Sequence, residues 1–272
     1  MEIGYKDYLY RECSSSSIAG GTDVYFIGTP ATGKSCVVSG LLKAIKQTRS
    51  VYMKVNPYAF GMLDLLDDGF LPYPTVLNTA LAIGVDVNKG KRKRSFNIIE
   101  ADGESAMRIA DSDVVSFKEM NIALASMLAN GNPKILFLVI DPCNHNNNIR
   151  QEDVLCTLLG LLAQNADIKK NVQAIHIVVS KYDMVGPDTS AEKIVAERYA
   201  AVLSKVKDLG FHHSLQIIPF SLGHFHNSET FDYDPKDSQK LLDMIIESIS
   251  ISKIQHLINK VRGWLRSYGS RR

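Results

Sequence analysis

FIGTPATGKSCVV, from Phe26 to Val38, decides how the rest of the chain is read. An apolar run stops at Gly28, eight residues follow as G-T-P-A-T-G-K-S, and an apolar run resumes. That octet fits G-x-x-x-x-G-K-[ST] in full, and it stands between a predicted strand and a predicted helix, the context the motif requires. Each fixed residue has a physical reason. Gly28 and Gly33 let the backbone curl so that successive N–H groups point inward at phosphate oxygens. A helix starting near Gly33 adds its positive end. Lys34 is placed to reach β- and γ-phosphates, and Ser35 to offer a hydroxyl to Mg²⁺. The contact stretch is Gly28, Thr29, Pro30, Ala31, Thr32, Gly33, Lys34, Ser35 and Cys36.

Outward from this loop the pattern alternates. DVYFIG reads as a buried strand and KSCVVSGLLKAIKQ as an amphipathic helix. NPYAFGMLDLLDDGFLPYPT reads as irregular, with a short helix near Leu63. LAIGVDV and SFNIIEA are strand-like and joined by NKGKRKR, which suits a hairpin. A helix is expected from about Ala106 to Leu128. Then come KILFLVI (strand), QEDVLCTLLGLLAQ (helix), QAIHIVVS (strand), AEKIVAERYAAVLSKVKDLG (helix) and SLQIIPF (strand). A long final helix begins near Asp237. Continuous apolar strands alternating with helices mean α/β with a mostly parallel sheet. The expectation is six strands, one of them the antiparallel member of the hairpin, with helices on both faces.

The 272 residues, 45% hydrophobic, are enough for one large domain with ample core. A net charge of +2 with 22% charged residues fits neither a disordered chain nor a surface that coats nucleic acid. Cys13, Cys36, Cys143 and Cys156 show no CxxC pair and no disulfide-like spacing, which favours a reduced, cytoplasmic setting. MEIGYKDYLY lacks the apolar stretch of a signal peptide, and KILFLVI is too short to span a bilayer. Residues 1–22 read as a flexible lead-in, 23–250 as the nucleotide-binding domain and 251–272 as a basic amphipathic helix.

After the strand IHIVVS stands Ser180-Lys181-Tyr182-Asp183. This resembles the guanine-recognition motif [NT]-K-x-D of Ras-like and translation-factor GTPases, with serine in the first place. The resemblance implies that the Asp183 carboxylate accepts from guanine N1–H and the 2-amino group, and that the Lys181 stem lies along the base. Adenine offers no such pair of donors and would leave the carboxylate unpaired. Ser221-Leu222-Gly223, after the next strand, is similar to the [ST]-A-[KL] loop whose backbone contacts guanine O6.

GTPases of this class carry D-x-x-G after the third strand, and here Glu100-Ala101-Asp102-Gly103 takes that place. Aligned on Gly103, Glu100 becomes the Mg²⁺-side carboxylate, with Asp102 the competitor, and Gly103 gives its N–H to the γ-phosphate. Glu104 falls where Ras-like proteins have a water-orienting glutamine, and a carboxylate there faces a polyanion. The resemblance therefore implies slow hydrolysis or a group supplied in trans. Thr75 and Thr79 are the candidates for the threonine that closes over Mg²⁺ and the γ-phosphate. Thr75 is preferred because Pro72 and Pro74 hold its segment extended.

From Asp23 to Gly223 the order of these elements resembles the TRAFAC-class P-loop GTPase domain, and the long switch segment with PYPT is similar to bacterial GTPases of defence and conflict systems. The implied protein is a GTP/GDP- and Mg²⁺-dependent switch that hydrolyses GTP. The competing reading is a nucleotide-binding adaptor or ATPase module with marginal hydrolysis.

Three features stand outside that reading. His212-His213 and His224-x-His226 have no partner at zinc-ligand spacing. Lys91 to Arg94 reads as a solvated hairpin tip. From Ser248 onward Lys253, Lys260, Arg262, Arg266, Arg271 and Arg272 occur with no acid. The stripe Ile251, Ile254, Ile258, Val261 and Leu265 beside Trp264 exceeds what one such sheet needs to cover. It points to self-association, a protein partner or an anionic membrane surface.

Overall fold

The computed structural model describes residues 21–54, 56–75, 79–89, 92–108, 115–143, 148–186, 188–226 and 230–249. The lead-in up to residue 20 and the basic segment 251–272 lie outside them.

Strand β1 (Thr22–Ile27) is buried along its whole length. Its alternate residues serve two cores: Val24 and Phe26 pack in one, Tyr25 and Ile27 in the other. A strand apolar on both faces belongs in the middle of a sheet covered on both sides. There β1 lies, flanked in parallel by β4 (Arg92–Ala101) and β5 (Lys134–Ile140). The full sheet has seven strands, in the order β2-β3-β4-β1-β5-β6-β7. Its other members are β2 (Val51–Met53), β3 (Ala80–Lys89), β6 (Val172–Val179) and β7 (Ile217–Pro219). β3 pairs antiparallel with both β2 and β4, so it alone runs against the other six.

The sequence pattern suggests six strands. The seventh is β2, an edge strand of three residues, too short to show period-two alternation. The hairpin of β3 and β4 forms, but its strands run further than the sequence suggests. They pair from Ala80–Ala101 to Lys89–Arg92, so most of NKGKRKR, expected as the connection, is ladder, and Arg92, Lys93 and Arg94 stand in β4 rather than at a tip.

One face is covered by α1 (Lys34–Gln47), α2 (Pro57–Asp67) and a helix over 235–249. Leu41, Met62 and Leu242 are among the core residues they contribute. Leu241, Leu242, Ile245 and Ile249 are all buried, so the helix over 235–249 is core at least to Ile249. The stretch occupied by α2, expected to be largely irregular, is a helix of eleven residues. Asn56 caps it by accepting from the Ala59 N–H, and Pro57 opens it, the place where a missing N–H costs nothing.

On the other face, the helix expected from Ala106 to Leu128 is not continuous. It resolves into Gly103–Arg108, Phe117–Met120 and Ile122–Ala129. Ser116 and Glu119 form a capping box, and Asn121 caps the last piece, so each of these two restarts has its own signal. Likewise the predicted helix after Ser190 divides at buried Tyr199 into Ala191–Arg198 and Ala200–Asp208. A helix over Asn148–Gln164 completes this layer. Among the described residues no helix is long and apolar enough to cross a membrane.

Parallel strands put the loops that follow β1, β4, β5, β6 and β7 on one edge of the sheet. That carboxyl edge is where open α/β sheets bind ligands.

Candidate functional site

The loop after β1 adopts the curl its glycines permit. Gly33 has φ 77° and serves as the N-cap of α1, and Ala31 shares the left-handed region at φ 61°. A Cβ on Gly28 would lie 2.3 Å from the Val139 carbonyl oxygen, so only glycine fits against β5. Thr32 is fully buried, and its hydroxyl donates to the Thr29 carbonyl at 2.8 Å. Lys34 is buried and donates to the same carbonyl at 2.9 Å. Burial lowers its ammonium to about 8, while Glu100, Asp102 and Glu104 act in the opposite sense.

A second convergence brings three distant segments together. Ser35 donates to Glu100 Oε1 at 2.6 Å, and Thr75 donates to the same oxygen at 2.7 Å. Glu100 is fully buried, and its other oxygen, Oε2, has no hydrogen-bond partner among the described residues. Burial pushes this carboxyl up, against the pull of the two hydroxyls and of Lys34. The two carboxylates of the E-A-D-G run are thereby told apart. Asp102 is buried too, but it is occupied: it accepts from the Ser105 N–H and hydroxyl at 2.6 Å each and from Asn121 at 2.9 Å. Asp102 thus fastens two helices, and Glu100 is the one that meets Ser35. Thr79 is buried at the start of β3, and its carbonyl accepts from the Asp102 N–H at 3.3 Å, so it lies with the fastening carboxylate.

Gly103 follows directly. A Cβ there would stand 2.5 Å from Pro30 N and 2.8 Å from Lys34 Nζ. The backbone at Gly103 is therefore pressed against the glycine-rich loop, which any larger residue would displace. Glu104 is exposed on the first turn of its helix.

The third group lies beyond β6. Ser180 is buried, and its hydroxyl is within hydrogen-bond distance of the Thr32 carbonyl at 2.7 Å and the Ile140 carbonyl at 2.8 Å. It ties the two loops together, a task for which a hydroxyl suffices. Lys181 sits at φ 50° and pairs with Asp141. Asp183 is exposed. The Tyr182 N–H donates to the Phe220 carbonyl, which anchors this loop to the next one. There the Ser221 N–H donates to Asp237 at 2.9 Å, Leu222 is buried, and Gly223 takes φ 156°.

These loops enclose a cavity of 530 Å³ reached by Gly33, Cys36, Ser180, Lys181, Asp183 and Leu222. Small-molecule pockets span roughly 300–1,000 Å³. Burial pushes the Cys36 thiol up to about 12, so it behaves as an apolar wall. The structure thus brings the phosphate-loop, E-A-D-G, S-K-Y-D and S-L-G residues to one edge.

Three neighbours of this site carry no motif. Asp141 reads in the sequence as an ordinary strand end, and its place on the same carboxyl edge as Gly28 is the signal that could have found it. Leu71 and Phe225 also line the cavity, and nothing in the sequence marks either. The histidine pairs gather no metal set: among the described residues there is no cluster of three or more His, Cys, Asp or Glu suited to a metal ion. His226 instead pairs with Asp232 at 2.9 Å.

No protein-family model matches the sequence, and no curated protein is significantly similar to it. Among solved structures, the chain is similar to one titled "Signal recognition particle receptor SRb-GTP/SRX complex from Chaetomium thermophilum", with 13% identity, 78% of this chain and 95% of that chain covered, and a TM-score of 0.43. It is also similar to a probable GTP-binding protein engB, with 13% identity, 84% and 98% covered, and a TM-score of 0.40. At such identity and overlap neither likeness speaks to activity.

Proposed function

We propose that this chain binds GTP and GDP with Mg²⁺ and works as a nucleotide-dependent switch that hydrolyses GTP slowly. The observation that carries the reading is the meeting of Ser35, Thr75 and Glu100 beside Lys34 and Gly103. Glu100 and Ser35 are neighbours because β4 pairs with β1, whereas Thr75 reaches them from a separate loop.

The donor set fits a hard divalent cation: two hydroxyls, and a buried carboxylate with one oxygen still unpartnered. Ser35, Thr75 and Glu100 would hold the ion, which would neutralise charge on the phosphates. The chain's own part is to cradle the phosphates with the backbone N–H groups of residues 28–35 other than Pro30, which has none, to set Lys34 against them, and to bring Gly103 close. Asp183 would select guanine, with Lys181 along the base and the Leu222 backbone at its carbonyl edge.

Slow turnover follows from Glu104. An exposed carboxylate on the phosphate side repels the polyanion and donates no hydrogen bond to it. A partner that supplies a cation in trans would relieve this. The switch motion then belongs to the segment around Thr75 and to Gly103. We also propose that 251–272, with its six cations and no acid, contacts an acidic partner or a second copy. Deletion of 251–272 should abolish that association and leave nucleotide binding intact, since every motif ends by Gly223.

Calorimetric titration with GDP, a non-hydrolysable GTP analogue and ATP, followed by phosphate-release kinetics, tests the main proposal. Preference for ATP, or no binding of either guanine nucleotide, would overturn it. A rate above about 1 s⁻¹ in the isolated chain would overturn the slow-hydrolysis part, set against about 10⁻⁴ s⁻¹ for an unaided Ras-type site.

A further inference from the structure

The two unpredicted apolar walls of the cavity, Leu71 and Phe225, have a common origin. Phe225 ends β8 (Gly223–Phe225), which pairs with β9 (Phe231–Tyr233) in a small sheet separate from the main one. This hairpin follows the Ser221-Leu222-Gly223 loop at once, and it is braced at several points. The Phe231 ring is buried in the core, and its N–H donates to the Gly69 carbonyl at 3.2 Å. Thr230 bridges to Phe70, the residue before Leu71. The Asp234 N–H donates to the Leu222 carbonyl at 3.1 Å, and the Tyr233 hydroxyl to the Gly40 carbonyl in α1 at 3.3 Å. The strands approach so closely that a Cβ on Gly223 would meet the Asp232 carbonyl at 2.0 Å.

Phe225 is 42% exposed although its hairpin is firmly held. Its ring stacks on Phe231 with centroids 5.2 Å apart and planes 27° apart. An aromatic ring fixed from behind and open toward an apolar cavity offers a flat face that any base can cover.

We infer that Phe225 is a base-stacking residue of this site, presented by the hairpin and backed by Phe231. The inference rests on the guanine-nucleotide reading. The hairpin's pairing with Gly69 and Phe70 ties it to the segment that carries Leu71, the other apolar wall of the cavity, and leads on to Thr75.

The test compares the full chain with Phe225→Ala and Phe225→Trp by calorimetry, using GDP, a non-hydrolysable GTP analogue and inorganic triphosphate, with thermal unfolding as the folding check. Phe225→Ala should lose about tenfold in affinity for both nucleotides, the scale of one stacked base. It should bind inorganic triphosphate as the wild type does, and Phe225→Trp should restore nucleotide binding. Unchanged nucleotide affinity in Phe225→Ala overturns the assignment, and so does an equal loss for inorganic triphosphate, which would mark a structural role. If the wild type binds inorganic triphosphate as tightly as GTP, the guanine reading falls and this assignment falls with it.

Discussion

Thr75 donates to the same oxygen of Glu100 that Ser35 does, at 2.7 Å, although Thr75 belongs to a loop and Glu100 to the strand β4. A fully buried carboxylate with an unpartnered oxygen is costly unless something cationic answers it. Glu100→Gln keeps the shape and removes the charge. Mg²⁺ should then cease to strengthen GTP binding, while affinity in excess chelator stays near that of the wild type. Thr75→Ala should weaken the triphosphate by about tenfold and the diphosphate little, since a hydroxyl bond to a charged group is worth about 1.5–3 kcal/mol. Equal effects of Mg²⁺ on wild type and Glu100→Gln, in paired titrations, would remove the cation from this site.

Lys34 predicts a pH dependence. In the free protein its proton leaves at about 8, because burial disfavours the ammonium. Bound phosphate favours the charged form, so the lysine in the complex holds its proton to higher pH. Binding above pH 8 therefore takes up a proton. Affinity should be level below pH 8 and fall about tenfold per unit above it, until the complex's own pKa is reached. Titrations at pH 7, 8 and 9 read the slope. Lys34→Ala should bind weakly at all three and show no such break.

Asp183 predicts the choice of base. The carboxylate is exposed at the cavity, where it can face a base edge. Asp183→Asn replaces one acceptor oxygen by a donor. GTP should weaken by at least about tenfold, and XTP, with a carbonyl at position 2, should gain. An unaltered GTP/XTP ratio in competition binding would assign Asp183 to the surface and leave the base site to other residues.

Much of this site is legible in the sequence because it is local. Gly28, Gly33, Lys34 and Ser35 act within a short turn of chain, and their spacing states the geometry. Ser180 and Asp183 follow a strand marked by its β-branched residues Val172, Ile175, Ile177, Val178 and Val179. What is not legible depends on distance. The choice of Glu100 over Asp102 turns on which way the end of β4 presents each residue, and on Asn121, nineteen positions further on, which occupies Asp102. Phe225 enters through a hairpin whose strands have three residues each, too few to carry a periodic signal. The helix over Pro57–Asp67 is masked by its high proportion of apolar residues, which blurs the stripe. The broken helix after Gly103 shows the opposite failure: its apolar spacing continues, but the caps at Ser116 and Asn121 restart it.

His176 predicts how the fold itself responds to acid. It lies buried on β6, its ring tilted against Phe137 at 5.1 Å, and Nδ1 accepts the Gln216 N–H at 3.3 Å. The proton is therefore on Nε2, which has no partner among the described residues. Burial lowers the imidazole to about 4 from an ordinary 6.5. The unfolded chain takes up a proton near 6.5, and the folded one does so only near 4. Stability from this group is thus fully present above 6.5 and is lost as the pH falls toward 4. The full loss is about 3 kcal/mol, at about 1.36 kcal/mol per unit. The bond to Gln216 stands at the head of β7, so the sheet edge that carries Phe220 and Leu222 depends on the neutral ring. Urea unfolding at pH 7, 6 and 5 should show a steeper decline for the wild type than for His176→Gln, which cannot charge. Parallel declines would mean that His176 is solvated, and that carboxylates elsewhere set the acid limit.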